Sequence, residues 1–138
     1  RALQNLQQSE TFCQQRRQRY DEYQRQLSGF RHELQLPPHN TAALSHFSVR
    51  VPGPCRDAVR LHLWQRGLDV GTLFPFPQQT CRPQDFPHAA QTATEVLNLP
   101  LSTQLTRHHV IQICDRLKAA VDLTGADGSV TDTETRAA

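Results

Sequence analysis

The stretch SHFSVRVPGPCRDAVRLHLWQRGLDVGTLFPFP, residues 45–77, decides the fold because its hydrophobic period changes along its length. Residues 45–51 alternate between apolar and polar side chains, which is the period of a half-buried strand. The apolar side of this strand consists of Phe47, Val49 and Val51. The Pro-Gly-Pro run at residues 52–54 ends the strand, and Pro54 can occupy the first position of a helix because its missing N–H costs nothing there. The sequence therefore predicts a strand that passes into a helix.

The middle of this stretch has the period of a helix. Its apolar positions recur every four residues, at Cys55, Val59 and Leu63, with Ala58 beside them. Gly67 stands where a left-handed C-terminal cap belongs. Leu61 and Trp64 widen the apolar stripe, which predicts that the helix is covered on more than one side.

Two further segments have the alternating period of strands. Residues 69–74 form the first of them, ended by Pro75 and Pro77. Residues 97–102 form the second, in which Pro100 predicts an edge position. Together these elements predict an α/β fold: a small two-layer domain with a short, mostly antiparallel sheet packed by helices, preceded by a long N-terminal helix.

The long N-terminal helix is predicted from residues 1–28, which contain no Gly or Pro and end at Gly29, a C-terminal cap. Its apolar seam repeats every seven residues, at Leu6, Cys13, Tyr20 and Leu27, with Leu3, Tyr23 and Phe30 beside them. So narrow a seam can pack on its own domain, on a neighbouring domain or on a partner. We expect residues 1–29 to form a linking helix.

Two more helices follow in the second half of the chain. Pro87 opens one that extends to Val96, and Thr106 caps the last one. The last helix has one apolar face, formed by Val110, Ile113, Cys114, Leu117 and Val121. Residues 122–138 have almost no apolar side chains and are predicted to be a flexible tail. The domain expected between the linking helix and the tail spans residues 30–121.

The composition is that of an ordinary soluble domain. With 138 residues, of which 37% are hydrophobic and 20% charged, one core is expected. A net charge of +2 gives no strong electrostatic footprint, so neither nucleic acid nor a membrane is expected as a partner.

The four cysteines show no CxxC spacing, which favours reduced thiols and a cytoplasmic location. Because the chain contains no Met and begins with Arg, we expect it to be the carboxyl-terminal piece of a longer protein.

Few residues indicate chemistry within the chain itself. The seven histidines lack the spacing of a zinc site, so a structural or surface role is favoured over metal binding. Cys81 lies beside Arg82 on a polar loop, but no partner His is evident, and an ordinary loop cysteine is favoured over a nucleophile. The FPFP run at residues 74–77 makes a stiff apolar wall, suited to packing under a neighbouring domain or, less favoured, to lining a cleft.

Several of these segments resemble the carboxyl-terminal small domain of the DegT/DnrJ/EryC1/StrS aminotransferases. The resemblance extends in order from Phe12 to Val121. Its most specific parts are the helix start at Arg56 and Asp57, the RGLDVG turn at residues 66–71, and the LNLPLS segment before a Thr-capped helix. Members of this family are pyridoxal-phosphate enzymes of fold type I that mostly transaminate keto sugars attached to nucleotides.

The resemblance implies that the chemistry lies outside this chain. In the family, the lysine that binds the cofactor and the phosphate-binding residues belong to a large domain, which would precede Arg1. No catalytic, cofactor-binding or metal-binding residue is therefore expected here, and the only lysine, Lys118, is not expected to bind the cofactor. Pyridoxal phosphate is expected in the parent protein but not in this piece alone. The implied partners are the large domain and, for the full protein, a second copy in a homodimer.

The same resemblance implies which residues line one wall of the substrate cleft: His46, Phe74, Phe76, Gln78 and Gln79. Typical members carry His-Tyr-Pro where this chain has Leu73, Phe74 and Pro75, so polar groups are missing from a loop that borders the cleft. A second hypothesis comes from a different class of function. In it the chain is a non-enzymatic interaction or dimerisation module whose long helix and FPFP wall dock a partner or a second copy.

Overall fold

A computed structural model describes residues 2–30, 34–37, 45–72, 77 and 80–127, with side chains from residue 8 to residue 125. The helices are α1 (Ala2–Leu27), α2 (Arg56–Gln65), α3 (Pro87–Glu95) and α4 (Arg107–Asp127). The strands are β1 (His46–Arg50) and β2 (Val96–Pro100). Short 3-10 turns at Gly53–Cys55 and Pro83–Asp85 precede α2 and α3.

The sheet is built on an antiparallel pair, β1 and β2. Phe47 lies opposite Leu99 and Val49 lies opposite Leu97, and all four side chains are buried. Single-residue bridges extend the sheet on both sides, from Gln35 to β1 and from Gly71 to β2. This arrangement confirms the predicted α/β domain with a short, mostly antiparallel sheet packed by helices, and it confirms the alternation predicted for β1.

The predicted second strand is wrong for the part that the structure describes. Within residues 69–72 only Gly71 pairs: its N–H donates to the Asn98 carbonyl at 3.1 Å and its carbonyl accepts from the Asn98 N–H at 2.8 Å. The partner of β1 is instead β2. Because β2 has only the single bridge to Gly71 on its other side within the described residues, it keeps the edge position predicted for residues 97–102. Pro100 is tolerated because it is the last residue of its strand.

The second half of α1 belongs to the same core as the sheet. Tyr23 stacks on Phe47 with ring centroids 4.9 Å apart, and Tyr20 meets the same ring edge-on at 4.9 Å. The Tyr23 hydroxyl donates a hydrogen bond to the Pro100 carbonyl at 2.9 Å. The predicted seam holds at Tyr20 and Leu27, whereas Cys13 is exposed. Residues 8–14 of α1 are exposed and therefore lie outside the core, whereas the side chains of Leu3 and Leu6 lie outside the described residues.

Helix α2 is covered on one side within the described part of the chain. Val59 and Leu63 are fully buried, whereas Leu61 is 53% exposed and Trp64 is 65% exposed. The expectation that α2 is covered on more than one side is therefore wrong here. The predicted left-handed turn after α2 is confirmed, because Gly67 has φ +75°.

Helix α4 begins at the predicted cap and ends later than expected. The His109 N–H donates to Thr106 Oγ1 and the Thr106 N–H donates to His109 Nδ1, each at 3.2 Å, so His109 takes the place of the usual Glu in a capping box. The helix continues to Asp127, six residues into the segment predicted as a tail. A solvent-facing turn at a helix end needs no apolar side chain, because its N–H groups bond to carbonyls one turn earlier and its last carbonyls can bond to water. Residues 128–138 lie outside the described residues.

A buried carboxylate joins α1 to α4. Glu22 is only 4% exposed, and it accepts hydrogen bonds from Gln26 at 2.8 Å and from Arg107 of α4 at 3.0 Å. Arg25 makes a further ion pair with it. The Gln26 hydrogen bond and the positive charges of Arg107 and Arg25 lower the pKa of Glu22, against the opposing effect of burial.

We expect Glu22→Gln to change how stability depends on pH. Because folding lowers the pKa of Glu22 below its usual value of 4.5, its stabilising contribution is complete above that pH and is lost as the pH falls through the folded-state pKa. The free energy of unfolding should thus be lower for the variant at pH 7, and the difference should shrink in acid. Urea unfolding between pH 7 and pH 3 measures this.

Glu10→Gln is the matched control, because Glu10 is an exposed residue of the same helix. The control should follow the wild-type pH profile. Parallel profiles for wild type and Glu22→Gln would contradict the assigned role.

Candidate functional site

Of the five residues predicted to line a substrate cleft, one falls in the described part of the chain. His46 is the first residue of β1, is half-buried, and has its ring Nδ1 2.9 Å from Ser45 Oγ. It lies on the opposite side of β1 from Phe47, and therefore on the face of the sheet away from the core. The other predicted cleft residues lie outside the described residues: Phe74, Phe76, Gln78 and Gln79.

The face of the sheet that carries His46, here called the outer face, is polar along β1. Ser48 Oγ donates to Asn98 Oδ1 at 2.6 Å across the two strands. At the far end of β1, the Arg50 guanidinium bonds to Glu95 with an Nε to Oε2 distance of 2.9 Å. That hydrogen bond, together with one from Gln91, lowers the pKa of Glu95 despite the opposing effect of burial. The outer face thus combines a fixed ion pair with a hydrogen-bonded Ser–Asn pair.

Residues of helix α3 and of the outer face line a concave surface of about 480 Å³. Its lining consists of Ser48, His88, Ala89, Thr92, Ala93, Val96 and Asn98. The sequence analysis missed this concave surface. One signal could have pointed to it: Asn is rare inside strands, and Asn98 stands between two leucines in the middle of β2.

A second concave surface lies on the exposed side of α2. It has a volume of about 520 Å³ and is lined by Asp57, Arg60, Leu61, Trp64 and Asp69. Arg60 Nε donates to the Val70 carbonyl at 3.3 Å, which ties the guanidinium to the segment after α2. This groove combines an exposed apolar pair with charges of both signs.

The described residues contain no arrangement suited to nucleophilic or metal chemistry. No group of three or more His, Cys, Asp or Glu side chains among them could hold a metal ion. Arg82 pairs with Asp85 at 2.9 Å, so its charge is engaged there rather than held for the Cys81 thiol. Burial raises the pKa of the Cys114 thiol to about 12, which keeps it a small apolar core residue.

Lys118 does not fit the role of a cofactor-binding lysine. Its Nζ lies 3.9 Å from Asp115 Oδ1 on the same helix, in an ion pair one turn long. A lysine that binds pyridoxal phosphate needs a free amine facing a pocket with phosphate-binding groups.

Comparison with known proteins identifies the class of domain. The model of the DegT/DnrJ/EryC1/StrS aminotransferase family matches residues 2–118. No curated protein sequence matches the chain. The fold is that of the sugar aminotransferases described below, and the chain belongs to the DegT/DnrJ/EryC1/StrS aminotransferase family.

Several solved structures share this fold. A putative sugar aminotransferase, Spr1654 from Streptococcus pneumoniae in its PMP form, superposes with a TM-score of 0.82 at 18% identity, over 92% of this chain and 35% of that one. DesV from S. venezuelae, in complex with a ketimine intermediate, gives 0.72 at 25% identity, over 85% and 34%. Helicobacter pylori PseC, an aminotransferase involved in the biosynthesis of pseudoaminic acid, gives 0.74 at 15% identity, over 88% and 36%. The chain thus spans about a third of the length of these proteins.

Across the described part of the chain, no helix has both the length and the apolar composition needed to cross a bilayer.

Proposed function

We propose that the chain is the carboxyl-terminal small domain of a cytoplasmic, pyridoxal-phosphate-dependent aminotransferase that acts on keto sugars linked to nucleotides. The observation that supports this most directly is the family match over residues 2–118, combined with structural likeness to about a third of several sugar aminotransferases. In this proposal the chain lines the substrate cleft and supplies neither the catalytic lysine nor the cofactor-binding groups. The large domain supplies both, and the full protein is a homodimer.

The proposed division of the chain assigns residues 1–29 to a helix linking the two domains, residues 30–121 to the small domain and the remainder to a tail. The burial pattern of α1 supports a linking role. Residues 8–14 are exposed, whereas Tyr20, Tyr23 and Leu27 are buried in the core. The end of α1 is therefore anchored in this domain, and residues 8–14 are exposed and accessible to the large domain.

The proposed cleft wall consists of His46, Phe74, Phe76, Gln78 and Gln79. His46 is the member whose surroundings are known. Its position on the outer face, at the start of β1 and beside Ser45, leaves the ring half-exposed and able to hydrogen-bond a substrate. A role of this kind positions the sugar and leaves the chemical step to groups elsewhere.

In the full-length protein, His46→Ala should weaken substrate binding more than turnover. We expect KM for the sugar nucleotide to rise about three- to tenfold, the value of one hydrogen bond, with kcat changed less than about twofold. Steady-state kinetics measure both constants. His108→Ala, which removes an exposed His from α4, is the control and should change neither constant. Loss of kcat at constant KM in His46→Ala would refute the positioning role.

A second candidate function, an interaction or dimerisation module, has one specific observation in its favour. Leu61 and Trp64 lie one turn apart on α2 and are more than half exposed, and Phe12 on α1 is 45% exposed. Leu61 and Trp64 lie side by side on the exposed side of α2, and an exposed apolar pair of this kind favours association. This candidate needs neither a cofactor nor a substrate.

Self-association of the 138-residue chain distinguishes the two candidates. Trp64 is the only tryptophan, so its emission reports directly on the exposed side of α2. The module predicts a dimer in sedimentation velocity and a blue shift of the Trp64 emission as concentration rises. Leu61→Lys, which keeps the fluorophore, should abolish both. Ala58→Lys, also exposed on α2, is the control. A monomer with a constant emission maximum would rule out homodimerisation through α2.

A further inference from the structure

One side of α1 passes from buried to exposed along the length of the helix. Phe12, Arg16, Arg19 and Tyr23 follow one another at intervals of four, three and four residues, so they lie on the same side. Tyr23 is fully buried, Arg19 and Arg16 are half-buried, and Phe12 is 45% exposed. The side of α1 that faces the core therefore continues beyond the core and ends in an exposed aromatic ring.

The cover on this side of α1 ends where α4 begins. Arg107, the first residue of α4, donates to Glu22 of α1 at 3.0 Å. Just before α4, the Leu105 carbonyl accepts a hydrogen bond from Arg19 Nε. The part of α1 that precedes these two bonds is about 25 Å long at the helical rise of 1.5 Å per residue. Most of the helix thus extends past the element that covers its end.

The exposed part of α1 lacks the packing that normally stabilises a short helix. Residues 8–14, with the sequence QSETFCQ, are all exposed. Two turns of helix are marginal in water unless one side packs against another part of the protein, because helix nucleation is costly. Phe12 is the largest apolar side chain in these two turns and lies on the side that is buried further along the helix. A covering surface is therefore expected on the Phe12 side.

The structural relatives indicate what this surface belongs to. The family match includes α1 from its first residue. Spr1654 superposes over 92% of this chain but over only 35% of its own length, so most of that protein has no counterpart here. The proposed function assigns the remainder to a large domain that is joined to the small domain through α1. Such a domain is the polypeptide nearest to Phe12 in the full-length protein.

A second copy of this chain is a poorer occupant than the large domain. A stable dimer buries roughly 800 Å² per partner, whereas residues 8–14 offer two apolar side chains, Phe12 and Cys13, among polar ones. A domain tethered through α1 itself has a high effective concentration at this surface, because the connection is intramolecular. One aromatic anchor is therefore enough to dock a tethered domain but too little to hold two free chains together.

We propose that Phe12 docks α1 onto the large domain by inserting into an apolar pocket on the surface of that domain. The inference rests on the proposed function, since the large domain is part of it. Phe12 has no role in the chemical step. By fixing one side of α1 to the large domain, while Tyr23 fixes the same side to this domain, it sets the relative orientation of the two domains.

The test compares amide hydrogen exchange of residues 8–14 in the full-length protein and in the 138-residue chain. In the wild type these amides should exchange at least about tenfold more slowly in the full-length protein. Phe12→Ala should raise their rates about ten- to hundredfold in the full-length protein, which corresponds to exposing one buried Phe side chain. In the 138-residue chain the same variant should change the rates less than about twofold, because Phe12 is already exposed there.

Gln14→Ala is the matched control, because Gln14 is exposed on the opposite side of the same turn. It should leave the rates in the full-length protein within about twofold of wild type. Phe12→Leu keeps an apolar side chain and should raise them less than Phe12→Ala does. Each variant is first shown to keep the wild-type circular dichroism spectrum. Equal wild-type rates in the two proteins, or equal effects of Phe12→Ala and Gln14→Ala, would overturn the proposal.

Two further results separate this interface from its alternatives. Slower exchange of residues 8–14 as the concentration of the 138-residue chain rises would show that a second copy covers Phe12, and this would overturn the large-domain interface. Transamination by the wild-type full-length protein is measured separately. An inactive protein with Phe12-dependent protection would refute the proposed function and support the interface, whereas an active protein without this protection would refute the interface alone.

Discussion

The structure depends on how one tyrosine is buried between a helix and a sheet. Tyr23 of α1 is fully buried, stacks on Phe47 of β1, and donates its hydroxyl proton to the Pro100 carbonyl of β2. Burying a phenol is costly unless its hydroxyl is hydrogen-bonded, so this side chain can sit in the core only if α1 and both strands hold their observed positions. Burial also raises the pKa of Tyr23 well above its usual value, so the hydroxyl stays a donor at any physiological pH.

This anchoring explains how the rest of the chain is arranged. With Tyr23 and its neighbour Glu22 fixed, α1 is tied to the sheet on one side and to Arg107 of α4 on another. Helix α1 then covers the core side of the sheet, and the polar side chains of β1 lie on the opposite, outer face. The residues with functional potential, His46 and the Ser48–Asn98 pair, are therefore on the face opposite to the core. In the aminotransferase proposal this is the face on which the substrate cleft is completed.

The sequence predicted the structure correctly where all the apolar positions of a repeating pattern lie on one buried side of a strand or helix. Phe47 and Val49 alternate because one side of β1 is buried, and Val110 to Val121 repeat with the helical period because one side of α4 is buried. The pattern misled where tertiary context decided the result. Residues 69–72 read as a strand, yet only Gly71 pairs, and it pairs with Asn98 on the side of β2 away from β1. Leu61 and Trp64 read as buried, but α2 is covered on one side only.

The candidate site could be predicted only in outline. His46 came from a family resemblance, which indicates a role but gives no local geometry. The concave surface beside Asn98 could not be predicted, because it arises from the position of α3 against the sheet, and side-chain pairs such as Ser48 and Asn98 are fifty residues apart in the chain. Non-local hydrogen bonds of this kind leave no periodic signal in a sequence.

The central claim is that the second half of α1 belongs to the folded core as well as to the proposed linking helix, and removing α1 tests this most directly. Urea unfolding of a chain consisting of residues 30–138 should lack the cooperative transition that the 138-residue chain shows, because the aromatic cluster on Phe47 would lose Tyr20 and Tyr23. A cooperative transition of the shortened chain at the same urea midpoint would contradict the account.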